Sequence, residues 1–240
     1  MNISVIMPAF NEELLLGRAL DNLKSAWTPF SRLGWGTELI VCDNNSSDRT
    51  AEIARAAGAA VVFEPVNQIA RARNAGAAAA TGDWLFFVDA DSYPEAGLFA
   101  AAADAIGQGG CLAGGSTLRM DQRSRAGDFA VAGWNLISRA GKWLAGSFIF
   151  VEATAFWEIG GFDERFFAGE EVDLSRRLKR LARQSGRRVV ILHRHPLLTS
   201  ARKLRLYGKW AHARLLLRGA LSPGGLTRRE GCDFWYDGKR

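Results

Sequence analysis

Two carboxylates stand two positions apart in Asp89-Ala90-Asp91, directly after the apolar run Trp84-Leu85-Phe86-Phe87-Val88. An apolar, aromatic-rich run bounded by Gly82-Asp83 and Pro94 predicts a strand buried on both faces. In an extended chain, residues i and i+2 point to the same side. Buried carboxylates are costly unless paired or bound to a metal. A divalent cation is therefore one chemistry this pair suggests, and a solvated acidic loop is the other. A second acidic group, Glu170-Glu171-Val172-Asp173, opens a predicted helix. That placement alone gains about 0.3–1 kcal/mol per acid from the helix dipole; a general base is the alternative role.

The elements that must position these acids come in alternation. Residues 2–8 predict a strand ended by Pro8. Asn11-Glu12-Glu13 predicts a helix start with Asn11 as N-cap, running to about Ser25. Leu39–Cys42 predicts a second strand, followed by the turn-rich run Asp43-Asn44-Asn45-Ser46-Ser47-Asp48. A helix over about Arg49–Ala57, a strand over Ala60–Phe63 and a helix over Ile69–Ala80 lead into the acid-tipped strand. The order β-α-β-α-β-α-β predicts an α/β fold, with a mostly parallel central sheet and helices on both faces. Such sheets bind ligands at the carboxyl ends of their strands. Three strands end there in Pro8-Ala9-Phe10-Asn11-Glu12, in Asp43–Asp48 and in Asp89-Ala90-Asp91. No G-x-G-x-x-G follows the first strand and no P-loop occurs anywhere.

Beyond residue 95 the pattern predicts a helix over Ala96–Ile106 and a strand over Cys111–Met120. It continues with a helix over Arg123–Arg139, a strand over Ser147–Val151, a helix over Glu170–Ala182 and a last strand over Arg188–Leu192. The sequence has 240 residues and a net charge of +6. Residues 187–240 hold 13 Lys/Arg against 3 Asp/Glu, so the body is mildly acidic and the end strongly basic. A basic end suits an anionic partner: a diphosphate, an acidic membrane surface or nucleic acid. Nucleic acid is not expected, because stacking aromatics interleaved with the basic residues are lacking apart from Trp210. The three cysteines are scattered and make no C-x-x-C pair, which disfavours a zinc cage or a disulfide framework. With no apolar run of membrane-span length and no room for a secretory signal before Ile3, a cytoplasmic setting is expected. Residues 202–218 predict a modestly amphipathic basic helix, which suits peripheral attachment to an anionic membrane at its inner face.

These residues resemble family 2 glycosyltransferases of the GT-A (nucleotide-diphospho-sugar transferase, Rossmann-like) fold. The matching pieces are Val5–Glu12, Val41–Thr50, Ala72-Arg73-Asn74-Ala75-Gly76, Val88–Asp91, Gly160-Gly161-Phe162-Asp163-Glu164 and Gly169–Leu174. The resemblance implies an enzyme of the hexosyltransferase type that moves a sugar from a nucleoside-diphosphate sugar, held with Mg²⁺ or Mn²⁺, to an acceptor hydroxyl with inversion. The acceptor is a glycan, a lipid-linked molecule or a small molecule. It implies a catalytic domain over 1–200, with a nucleotide-sugar half at 1–92 and an acceptor half at 93–200, followed by a basic helical extension at 201–240. Pro8, Ala9, Asn11, Glu12 and Asn45 are implied to line the donor pocket, with Asp43 accepting hydrogen bonds from the base and Arg73 near nucleotide and sugar. Asp89 is implied to serve the ribose or a metal-bound water and is a second candidate for the metal, Asp91 is implied to bind the metal directly, and Ala90 lies in the implied donor site. Glu171 takes the base position, where most relatives carry Asp, and Asp173 is the alternative base. His195 is expected to complete the metal shell, and Arg202 and Lys203 to hold the diphosphate. A non-catalytic nucleotide-sugar-binding module and a nucleotidyltransferase on a related sheet remain the competing readings.

Overall fold

A computed structural model of the chain describes residues 1–122, 124–200 and 202. The elements are β1 (Asn2–Ala9), α1 (Leu16–Ala26), α2 (Thr28–Arg32), β2 (Gly36–Asp43), α3 (Thr50–Ala56), β3 (Ala60–Phe63), α4 (Ile69–Ala78), β4 (Trp84–Val88), β5 (Ser92–Tyr93) and α5 (Ala96–Gly107). They continue with β6 (Cys111–Met120), α6 (Arg125–Gly141), β7 (Phe148–Glu152), α7 (Ala153–Glu158), α8 (Glu170–Gln184) and β8 (Arg188–Thr199). The eight strands form one sheet in the order β3-β2-β1-β4-β7-β6-β8-β5. The first four pair in parallel, as does β6 with β8. β7 runs against both β4 and β6, and β5 against β8.

Strand parity sorts the core into two layers. Ile3, Val5 and Met7 of β1 with Trp84, Phe86 and Val88 of β4 face one side, beneath α1, α2, α3 and α5. Ile6, Leu85 and Phe87 face the other, beneath α4, α7 and α8. Aromatic rings dominate the centre: Phe86 stacks on Phe150 at 5.4 Å and meets Phe30 edge-on at 5.3 Å. Such side chains bury large apolar areas and are the main source of a core's stability. Helices thus cover both faces, and the sheet is mostly parallel, as the alternation of elements predicts.

The expected cap at Asn11 does not form. Asn11 has φ 52°, in the left-handed region, and the helix starts at Leu16 without a side-chain cap. Asn11 works across the loop instead. Its Oδ1 accepts from the Ser47 backbone N–H at 2.8 Å, and its own N–H donates to Ser46 Oγ at 3.0 Å. The Glu12 N–H donates to Thr50 Oγ1 at 2.8 Å. The loops after β1 and β2 are therefore tied to each other, and each loop places polar residues at the carboxyl edge of the sheet.

The last strand extends seven residues past Leu192. Its ladder to β6 breaks after Leu192 and resumes at Leu197, so Pro196 sits where no ladder N–H is required. The segment then returns beside Asp91: Ser92 pairs with Thr199, and the Ser200 N–H donates to the Asp91 carbonyl at 3.1 Å. Among the described residues, no helix is long and apolar enough to cross a membrane. The expected basic amphipathic segment at 202–218 and Lys203 lie outside the described residues, Arg202 excepted.

Candidate active site

β4 carries its apolar parity one step beyond its end. Asp89 follows Leu85 and Phe87, so it emerges on the face covered by α4 and α8. There it meets Arg73 of α4, whose Nη2 donates to Asp89 Oδ1 at 2.9 Å. Nη2 also donates to the Gly146 carbonyl at 2.9 Å, and Nη1 donates to Glu170 Oε1 at 2.6 Å. The Arg73 side chain is 1% exposed and stands 5.2 Å from the Phe162 ring centroid. Burial works against its charge, but the carboxylates of Asp89, Glu170 and Glu171 outweigh burial and hold the guanidinium above its ordinary value. Both Nη atoms of Arg73 are thus engaged by protein acceptors.

A cavity of about 390 Å³ opens at this point. Asp89, Arg73 and Gly146-Ser147 line one side, Glu170 and Glu171 another, and Ile69, Leu118, Trp134 and Phe167 supply apolar surface. Glu171 is half-buried in this lining. Burial first, and then the charge of Glu170, push its carboxyl up to about 8, with Arg73 opposing. A base poised near the working pH is well matched to proton abstraction.

The two candidate bases separate clearly. On a helix, residues two apart lie about 200° around the axis, so Asp173 points away from Glu171. Arg177 engages it, donating from Nε to Asp173 Oδ2 at 2.6 Å and from Nη1 to the carbonyls of Ile159 and Gly161. Among the described residues, Asp173 does not line the cavity that holds Glu171. Through Arg177, Asp173 braces the turn that follows α7.

Asp89 and Asp91 also part company. The extended backbone stops at Val88, and Ala90 and Asp91 form a turn closed by the Ser92 N–H to the Asp89 carbonyl at 3.1 Å. The same-side relation expected from an extended chain is therefore lost. Asp91 instead faces Glu12 and Arg202. Arg202 Nη2 donates to both Glu12 carboxylate oxygens, at 2.9 and 3.1 Å, and stands 3.9 Å from Asp91 Oδ2. Glu12 and Asp91 are buried. Pro8, Ala9 and Asp43 lie at the same edge, in β1 and β2, where Ala9 pairs with Asp43. The Asp43 Oδ1 accepts from the Ser46 N–H at 3.0 Å, shaping the loop in which Asn45 has φ 66° and is exposed.

His195 is not brought to this site. It lies in the irregular part of β8, exposed, against α5. A side chain at Gly97 would meet its Nδ1 at 2.5 Å, so the imidazole sits where Gly97 leaves space. The segment after β8 brings Arg202 to these acids, whereas the His195 imidazole lies against Gly97 of α5. Among the described residues, no group of three or more His, Cys, Asp or Glu could hold a metal ion unaided. Asp91 nonetheless fits one. Its carboxylate is buried and, among the described residues, accepts no hydrogen bond of normal length. Mg²⁺ and comparable ions use one or two carboxylates and fill the remaining positions with substrate phosphates and water. The residues that sequence alone did not single out are Glu170, Gly146, Ser147 and Trp134. Glu170 carried a signal as Glu171's neighbour; the others lie in segments without a readable motif.

The fold is that of GT-A glycosyltransferases. Crystal structures of S. aureus TarS 1-349 and of the mannosyltransferase PcManGT from Pyrobaculum calidifontis, in complex with GDP-Man and Mn²⁺, superpose with TM-scores of 0.64 and 0.65. Both are 18% identical; the alignments cover 99% and 98% of this chain and 79% and 70% of theirs. The chain belongs to glycosyl transferase family 2, whose family model matches residues 4–130. Among curated relatives, the probable glycosyltransferase YdaM of Bacillus subtilis (strain 168) is 34% identical over 102 residues, 39% of this chain and 23% of its own. The chain spans between a fifth and two fifths of the length of the curated relatives it matches.

Proposed function

We propose that residues 1–200 are the catalytic domain of a metal-dependent, inverting glycosyltransferase that uses a nucleoside-diphosphate sugar. One observation carries this reading: the cavity has the strand-end acid Asp89 on one wall and Glu171, its carboxyl pushed up to about 8 by burial and Glu170, on another. The loops after β1 and β2, with Pro8, Ala9, Asn11, Glu12, Asp43 and Asn45, hold the nucleotide. Asp91 binds a Mg²⁺ or Mn²⁺ ion, with Asp89 at the ribose or at a water on that ion. When bound, the ion neutralises charge developing on the departing diphosphate. Arg202 supplies a planar fork suited to phosphate oxygens, and Lys203 adds a second cation.

Glu171 takes the proton of the acceptor hydroxyl as that oxygen attacks the anomeric carbon from the face opposite the diphosphate. The carbon–oxygen bond to the diphosphate breaks as the new one forms, so no covalent enzyme intermediate is required. Support for the metal comes by analogy from PcManGT, which was solved with Mn²⁺. The acceptor is a hydroxyl of a cell-envelope or lipid-linked glycan. The basic segment from residue 202 onward attaches the enzyme to the inner face of an anionic membrane. Flotation with anionic liposomes tests that attachment, and protein left wholly in the soluble fraction rejects it.

Radiolabelled UDP-N-acetylglucosamine, UDP-glucose and GDP-mannose, each with Mn²⁺, test the reaction. The expected result is sugar release or transfer from one donor, abolished by Asp91→Ala and by Glu171→Gln. Nucleotide binding with no turnover by the wild type indicates a non-catalytic module. Diphosphate release from a nucleoside triphosphate and a sugar phosphate indicates a nucleotidyltransferase.

A further inference from the structure

Arg73 touches both halves of the reaction centre while lying almost wholly out of solvent. Its guanidinium reaches Asp89 beyond β4, Glu170 at the first residue of α8, and the Gly146 carbonyl in the loop before β7. These three groups come from segments 24 to 81 residues apart in sequence. They converge on one planar cation whose five N–H donors have a fixed geometry. The loop is held from its other side as well: Leu144 N–H donates to Ser175 Oγ of α8 at 3.0 Å, and Ser175 Oγ donates to the Glu171 carbonyl at 2.6 Å.

We propose that Arg73 is a positioning residue: it locks Asp89, the 142–147 loop and the start of α8 into one unit, and so fixes Glu171 relative to the acids that hold the donor. The proposal rests on the transferase reading above, and it gives Arg73 no contact with the donor. A lysine cannot reproduce it. An ammonium is a compact point charge and lacks the fork that reaches two carboxylates and a carbonyl in one plane. The approach is also close on the loop side, since a Cβ at Gly146 would lie 3.0 Å from Arg73 Nη2. Gly146→Ala therefore displaces the guanidinium without removing any charge.

The test uses the full chain, with Arg73→Lys and Gly146→Ala as variants, the second guarding against a first that fails to fold. Binding of UDP with Mn²⁺ and of GDP with Mn²⁺ is measured by calorimetry, and kcat and donor KM are measured on the best donor. Positioning predicts that kcat falls by about 10-fold or more, while nucleotide affinity and KM stay within about 3-fold. A kcat within about 3-fold of wild type in a folded variant overturns the proposal. So does a nucleotide affinity weakened by more than about 10-fold, which makes Arg73 a donor contact. If the wild type binds nucleotide yet transfers nothing, the transferase reading fails by itself. Positioning is then decided by the carboxylate titration of Glu171, followed by NMR on glutamate-labelled protein. A midpoint displaced by about half a pH unit or more in both variants supports it; an unchanged midpoint overturns it.

Discussion

Arg202 and Glu12 are 190 positions apart in sequence, yet Arg202 donates to both Glu12 carboxylate oxygens. Asp91 stands 3.9 Å from the same nitrogen. The guanidinium thus lies between two buried acids, at the edge where the loops after β1 and β2 meet the end of β4. A diphosphate arriving there offers a better partner, because it carries more charge and accepts bidentate bonds. Arg202→Ala is expected to weaken UDP–Mn²⁺ binding by about 10-fold, roughly 1.4 kcal/mol. Arg202→Lys is expected to recover only part of that. Calorimetry decides the matter, and unchanged affinity in Arg202→Ala removes the residue from the donor site.

Asp91 is expected to govern the dependence on metal. Asp91→Asn keeps the shape and removes the charge, so Mn²⁺ should no longer strengthen nucleotide binding. Wild type treated with a chelator should behave the same way. A variant whose nucleotide affinity still rises with added Mn²⁺ would place the ion elsewhere.

Glu171 sets the expected pH profile. A base must be deprotonated to act, so kcat/KM should rise as pH increases through a midpoint near 8. Glu171→Gln should remove this limb and lower kcat by about 100-fold or more. A profile already flat from pH 6 upward would show that another group takes the proton.

The same carboxyl influences stability. Its native-state value of about 8 exceeds the ordinary 4.5, so the native state holds a proton that the unfolded chain gives up. The resulting stabilisation is fully present below pH 4.5 and is lost as pH rises through about 8. Glu171→Gln should therefore make the melting temperature less dependent on pH across that window. A variant whose melting temperature falls with pH as steeply as wild type's would exclude Glu171 as the source.

Asp173 provides the contrasting case. Asp173→Asn weakens the brace on Arg177 and is expected to cost about 0.5–1 kcal/mol, because the pair is partly exposed. Turnover should stay within about 3-fold of wild type. A loss comparable to that of Glu171→Gln would restore Asp173 as a base.

Much of the fold was legible because strong periodic signals survive tertiary context. The buried run at Trp84–Val88, the strand at Cys111–Met120 and the helices near residues 69 and 96 all fall where the sequence puts them. The misses have local causes. Asn11 has the chemistry of a cap, but a partner loop 35 residues away captured its polar groups. The last strand was cut short because His193, Arg194, His195 and Pro196 carry no strand pattern, and the structure tolerates them by breaking the ladder there. α2, β5 and α7 are too short to generate a period. At the site, the acids were readable from their positions after a buried strand and at a helix start. Their pairing was not, because it depends on long-range geometry: Arg73 joins Asp89 and Glu170, which lie 16 and 97 positions from it.

The reversed direction of β7 bears on how the protein can be altered. In a wholly parallel sheet, the segment before a strand emerges at the edge opposite the ligand. Because β7 runs against β4, the short loop that precedes it arrives at the reactive edge instead. That loop touches Asp89 through the Ser147 carbonyl at 3.4 Å and Arg73 through Gly146, yet is separate from the loops after β1 and β2. Leu144 and Ala145 of it are buried, and the Leu144 N–H donates to Ser175 Oγ of α8, so any change made in this loop is felt by the helix that carries Glu171 as well as at the edge of the sheet.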